Sequence, residues 1–130
     1  MCEVNIKQLC SHFDKVIELH ELQNARDGMK DYRCELSENL PESDALKNIT
    51  DDIAKLDKRI TEVKLELETA WVSVEKFLSC IKDDVAVNAI RLHYRDGMSW
   101  TDIAYITKYS SDEGVKSRVY RAIKKHSVKK

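Results

Sequence analysis

Glycine and proline are scarce in this chain, three and one respectively in 130 residues. Together with 35% charged residues, that scarcity points to long helices rather than sheet. Long apolar runs are missing as well. No segment approaches the roughly 18 consecutive apolar residues that span a bilayer, and residues 1–9 lack the basic start and apolar core of a secretory signal. A cytoplasmic protein without a membrane partner is expected. The four cysteines, Cys2, Cys10, Cys34 and Cys80, form no Cys-x-x-Cys pair, so reduced thiols are expected rather than disulfides. Cys10 beside His12 is a faint zinc signal, and the other histidines, His20, His93 and His126, are dispersed. The chain also has no phosphate-cradling glycine loop, nucleophile motif or metal-spaced cluster. Neither catalysis nor a cofactor is expected.

What the chain does contain is unevenly distributed. Residues 1–85 hold 12 Lys/Arg against 19 Asp/Glu, a balance of −7, and residues 86–130 hold 10 against 4, a balance of +6. The net charge of −1 therefore conceals a basic end. In the acidic part, Leu46, Ile49, Ile53, Leu56, Ile60, Val63, Leu67, Ala70, Val74, Phe77 and Ile81 recur at alternating spacings of 3 and 4. Such a seam specifies a coiled coil, and a helix from about Ser43 to Lys82 would extend roughly 60 Å, so it needs a partner along its length. Ile6, Leu9, Phe13 and Val16 keep the same spacing, and Leu22, Ala25, Met29, Tyr32 and Leu36 resume it in a shifted phase, which implies a stutter or a break near Asp27-Gly28. Pro41, within Glu38 to Ser43, marks a turn, which makes an antiparallel helical hairpin the economical arrangement. Spacing leaves open whether the seam closes within one chain or between two. The apolar area of Trp71 and Phe77 favours a homodimer or a partner-protein surface.

The expected architecture is all-α: a helical hairpin or coiled coil over residues 1–82, then a helix-turn-helix over 83–130. In that second part Asp96-Gly97 ends one helix, and Ser99 with Asp102 opens the next. Ser110 and Glu113 have the spacing of a capping box. Trp100, Ile103, Ala104 and Ile106 fall at core spacing on the middle helix, and Val115, Val119, Ala122 and Ile123 do so on the last. The other faces of the last helix carry Lys116, Ser117, Arg118, Tyr120, Arg121, Lys124 and Lys125. A short capped helix, a tight turn and a cationic amphipathic helix form the pattern of a major-groove reader.

Arg91, Tyr94, Gly97, Ser99, Trp100, Ile103, Ala104, Tyr109, Ser110, Val115, Arg118, Arg121 and Ala122 carry a resemblance. Their run is similar to region four of bacterial sigma factors, and more closely to small sigma-like regulators of phages and mobile elements in Gram-positive bacteria. The resemblance covers about the last third of the chain, and the long-helix layout before it also fits. His93 stands where an arginine is frequent, and the last helix opens on the acidic run Ser111-Asp112-Glu113-Gly114. The resemblance implies a sequence-specific, DNA-binding transcriptional regulator that inserts residues 111–125 into the major groove of double-stranded DNA. On that expectation Asp112, Glu113, Lys116, Ser117 and Tyr120 lie nearest the base edges, Lys108, Arg118, Arg121, Lys124 and Lys125 hold phosphates, and Ser111 is a further DNA-binding residue. Two other readings use the same features. One is a small terminase-like packaging protein; the other is a helical adaptor that binds RNA polymerase or a sigma factor.

Overall fold

The computed structural model describes residues 4–127; Cys2, counted above among the thiols, lies outside them. Among the described residues every regular element is helical. Two long helices come first, α1 (Ile6–Asn39) and α2 (Asp44–Leu78), and three short ones follow, α3 (Asp84–Ile90), α4 (Trp100–Thr107) and α5 (Asp112–Ser127). A π-helical stretch, Arg91–Arg95, continues α3. The chain divides into two compact units, one of residues Ile17–Glu66 and the other of the residues on either side of that segment. In the second of these, Val4 and Leu9 share one apolar cluster with Phe77, Ile90, Ile103 and Val119, on both sides of the expected 82/83 boundary.

The unit of residues Ile17–Glu66 is an antiparallel helical hairpin. Leu40, Pro41 and Glu42 reverse the chain, and the Ser43 hydroxyl caps α2 by accepting from the Leu46 amide at 3.1 Å. Ile53, Ile60 and Val63 are buried, so in this unit the seam closes within one chain. Each such side chain contributes about 1.5–3 kcal/mol on burial, which is what holds helices of this length together in water. Ion pairs cross the hairpin from Arg59 to Glu18 at 3.0 Å and from Arg26 to Asp57 at 3.3 Å. The first is exposed and adds little to stability, and the second is part-buried through Arg26.

Of the expected stutter or break near Asp27-Gly28, the break is absent, since α1 runs through it. The phase change lies earlier. Inward positions in α1 are Leu9, His12, Val16, Leu19, Leu22, Arg26, Met29, Arg33 and Leu36, at spacings of 3 and 4 with two successive threes around Leu19. His12, Arg26 and Arg33 hold places where an apolar residue was sought, whereas Ala25 and Tyr32 face outward. Arg26 and Arg33 can line a seam because their stems are apolar while their heads reach its edge.

In the other unit, Trp71 takes the inward place expected of Ala70, which is exposed. Trp71 is 8% exposed and Phe77 1%, so neither leaves the uncovered apolar area that favoured a homodimer. Helix α3 is capped by Asp83, whose carboxylate accepts from the Ala86 amide. Gly97, at φ 78°, then makes the left-handed turn expected at Asp96-Gly97. Ser99 caps α4 as expected, accepting from the Asp102 amide at 3.1 Å. Ile103, Ala104, Val115, Val119, Ala122 and Ile123 are buried, but Ile106 is 53% exposed. Trp100, Ile103, Ala104 and Thr107 share one face of α4, and Ile106 falls about 100° beyond its centre.

Candidate nucleic-acid interface

Helices α4 and α5 are joined by four residues, Lys108 to Ser111, which fix how α5 is presented. Lys108 adopts the left-handed conformation, φ 63° and ψ 32°. The Tyr109 amide donates to the Ala104 carbonyl at 2.9 Å and the Lys108 amide to the Tyr105 carbonyl at 3.3 Å, the pattern of a Schellman C-cap. The expected Ser110/Glu113 capping box is displaced by one residue. Ser111 is the cap, its hydroxyl accepting from the Gly114 amide at 3.1 Å, and Glu113 serves as an acid in the first turn beside Asp112.

Two arginines lock this frame. Arg118 donates to both oxygens of Asp83, at 2.7 and 2.9 Å, and to the Tyr109 hydroxyl at 2.6 Å. Asp83 therefore caps α3 and anchors α5 at once. Chiefly through Arg118, its carboxyl is held below the usual range. Arg91 makes a similar fork to Glu75, at 3.0 and 2.9 Å, and Glu75 also accepts from the Trp71 indole at 2.8 Å. Geometry of this kind gives orientation as well as energy. Arg118, for which a phosphate contact was expected, also has this place in the fold. Its guanidinium is engaged within the fold, as are those of Arg91 and Arg95.

A third device is an aromatic stack. His93 is buried between Phe13, at a ring distance of 4.3 Å, and Trp100, at 4.0 Å, with Nδ1 2.7 Å from the Met98 carbonyl. Burial pushes the His93 pKa below its ordinary value, the Met98 contact opposes that, and nearby Lys116 adds to the lowering. His12, against Trp71 at 5.0 Å, is lowered by burial and then by Lys15. Trp100 is thus half-buried core, as its spacing with Ile103 and Ala104 required.

The remaining candidates fall on two surfaces of α5. Glu113, Ser117, Arg121 and Lys124 are all exposed and lie opposite the buried Val115, Val119 and Ile123. Asp112 is exposed at the helix start. Lys116 is half-buried on one flank, its ammonium 5.7 Å from the Tyr120 ring centre. Tyr120 is half-buried and packed on the core. The Tyr94 pKa is driven well above its usual value, first by burial. Lys125 is exposed on the opposite flank, and Lys108 and Ser111 are exposed in the turn. Among the described residues, Lys108, Arg121, Lys124 and Lys125 have no carboxylate partner.

Asp83 and Glu75 had no signal in the sequence, and Phe13 had one only as a seam residue, not as the partner of His93. Each meets its partner across 16 to 80 residues, beyond the reach of any local spacing rule. Among the described residues no group of three or more His, Cys, Asp or Glu could hold a metal ion, and no helix is long and apolar enough to cross a membrane. No family model matches the sequence, and no match is found among curated proteins or solved structures.

Proposed function

We propose that this protein is a sequence-specific DNA-binding transcriptional regulator whose helix α5 reads the major groove, in the manner of the sigma-like regulators that its last third resembles. One observation carries the reading. An amphipathic helix, braced by α3 and α4, presents Glu113, Ser117, Arg121 and Lys124 to solvent while Arg118 ties it to Asp83 at the start of α3. Rigid presentation matters because base readout needs bidentate geometry, whereas charge alone gives only non-specific affinity. Glu113 can accept from a cytosine amino group and Lys116 can donate to guanine. Lys108, Arg121, Lys124 and Lys125 neutralise phosphates.

In vitro selection from a random duplex pool tests the reading by whether a common site is enriched. At that site, Lys116→Ala is expected to cost about 1–3 kcal/mol and to relax the base preference, whereas Lys124→Gln weakens all duplexes alike. A pool that stays random through selection would refute it.

A specific observation also favours a protein contact on the same unit. Tyr105 is 86% exposed beside the exposed Ile106 on α4, an apolar pair that DNA binding through α5 leaves unexplained. In the adaptor reading these residues meet RNA polymerase or a sigma factor. Replacing Tyr105 and Ile106 by serine would then abolish regulation without changing DNA affinity.

A further inference from the structure

The turn between α2 and α3 and the flank of α5 border an open pocket of about 700 Å³, lined by Cys80, Lys82, Asp83, Arg118, Arg121, Lys125 and His126, among others. Its charge is one-sided. The single carboxylate, Asp83, is taken up by Arg118 at 2.7 and 2.9 Å, and His126 Nδ1 lies 2.9 Å from the Ala122 carbonyl. Lys82, Arg121 and Lys125 are exposed and have no carboxylate partner among the described residues. Lys82 and Lys125 each sit near a helix C-terminus, whose partial negative charge favours a cation. Arg121 lies in the body of α5 and has no such reason to be there.

We propose that this cavity is a phosphate-recognition site in which Lys82, from outside the helix-turn-helix, acts together with Arg121 and Lys125. Three cationic side chains lining one pocket from two segments suit a tetrahedral oxyanion with several acceptor oxygens better than a planar carboxylate. The position argues for the source. The cavity adjoins the α5 surface of Ser117, Arg121 and Lys124, and a helix lying in a major groove has a phosphate backbone along each flank. On the DNA-binding reading, on which this assignment of source rests, the occupant is a backbone phosphodiester. Lys82 then adds a sequence-independent contact that lies 30 residues before α5 begins.

Cys80 provides a reporter, because it is exposed and lines the cavity. In the full chain with Cys2, Cys10 and Cys34 replaced by serine, labelling of Cys80 by a neutral disulfide is followed alone, with a duplex pool, and with inorganic phosphate. Separately, duplex affinity is titrated against salt for the wild type and Lys82→Gln, with circular dichroism confirming that both are folded. Protection of Cys80 by duplex is expected, with a loss of about 0.9 from the salt slope in Lys82→Gln. Protection by inorganic phosphate without protection by duplex would retain the phosphate site and overturn its assignment to DNA. Labelling unaffected by either, with an unchanged slope in Lys82→Gln, would overturn the site itself. A wild type that binds no duplex would refute the DNA-binding reading, and the inorganic-phosphate arm would still decide the cavity.

Discussion

Replacing Lys108 by glycine is expected to stabilise the fold and weaken DNA binding at the same position. The backbone there is left-handed, at φ 63° and ψ 32°, and the Schellman bonds that close α4 require it to be so. An L-residue with a Cβ pays about 1–2 kcal/mol in that conformation. Glycine removes the strain but returns about 0.4–1 kcal/mol through the greater freedom of the unfolded chain. The net gain is about 0.5–1 kcal/mol, or roughly 2–4 °C in the thermal midpoint for a chain of this size. Lys108→Ala keeps the Cβ and the strain, so its midpoint should not rise. Both variants lose one cation, and both should lose about 0.9 from the salt slope of duplex binding. Circular dichroism melts give the first quantity and fluorescence anisotropy the second. Equal midpoints for the glycine and alanine variants would refute the reasoning about strain. An unchanged slope in both would remove Lys108 from the phosphate contacts.

Gly28→Ala should stabilise the hairpin by about 0.5–1 kcal/mol, because α1 is continuous through Gly28 and an added Cβ meets nothing within 4 Å; a urea midpoint that falls would restore the expected break. Ile103→Ala should cost about 2–5 kcal/mol, since Ile103 is fully buried, whereas Leu65→Ala, on an exposed position of α2, should stay within about 0.5 kcal/mol. Asp83→Ala should cost at least the roughly 1 kcal/mol of an N-cap, and Asp83→Asn should recover the cap while still losing the charge that meets Arg118. Stability should also depend on pH. His12 and His93 are held below their unfolded value of 6.5, so the unfolded chain binds the extra protons: stability is level above about pH 7.5 and declines as pH falls from about 6.5 downward. Urea midpoints that rose between pH 7 and pH 5 would contradict that sign.

Much of this fold was legible because its strongest signals are local. Ser99 and Gly97 mark turns by their own chemistry, and the Val115, Val119, Ile123 stripe identifies the buried side of α5 without reference to anything else. The heptads gave α2 nearly to its ends, yet Ala70 and Trp71 were exchanged, since a regular 3, 4 count passes over the extra residue that the larger ring occupies. In α1 the apolar count failed where His12, Arg26 and Arg33 line the seam with partly apolar side chains. The surface of α5 followed from its periodicity. What each cation does there did not: Arg118 and Lys125 read alike as basic residues on one helix, and only the distant Asp83 separates a structural clamp from a free charge. Lys82 was invisible for the same reason, because its relation to Arg121 exists only after the chain has folded back.

A dimethyl sulfate footprint on the selected duplex bears on whether α5 enters the major groove. Guanine N7 is exposed only there and adenine N3 only in the minor groove, so the reagent distinguishes the two directly. Protection of guanine N7 within the site is expected, and on the proposed reading it should weaken at one guanine when Lys116→Ala is used. Unprotected N7 positions, or protection confined to adenine N3, would contradict a major-groove role for α5.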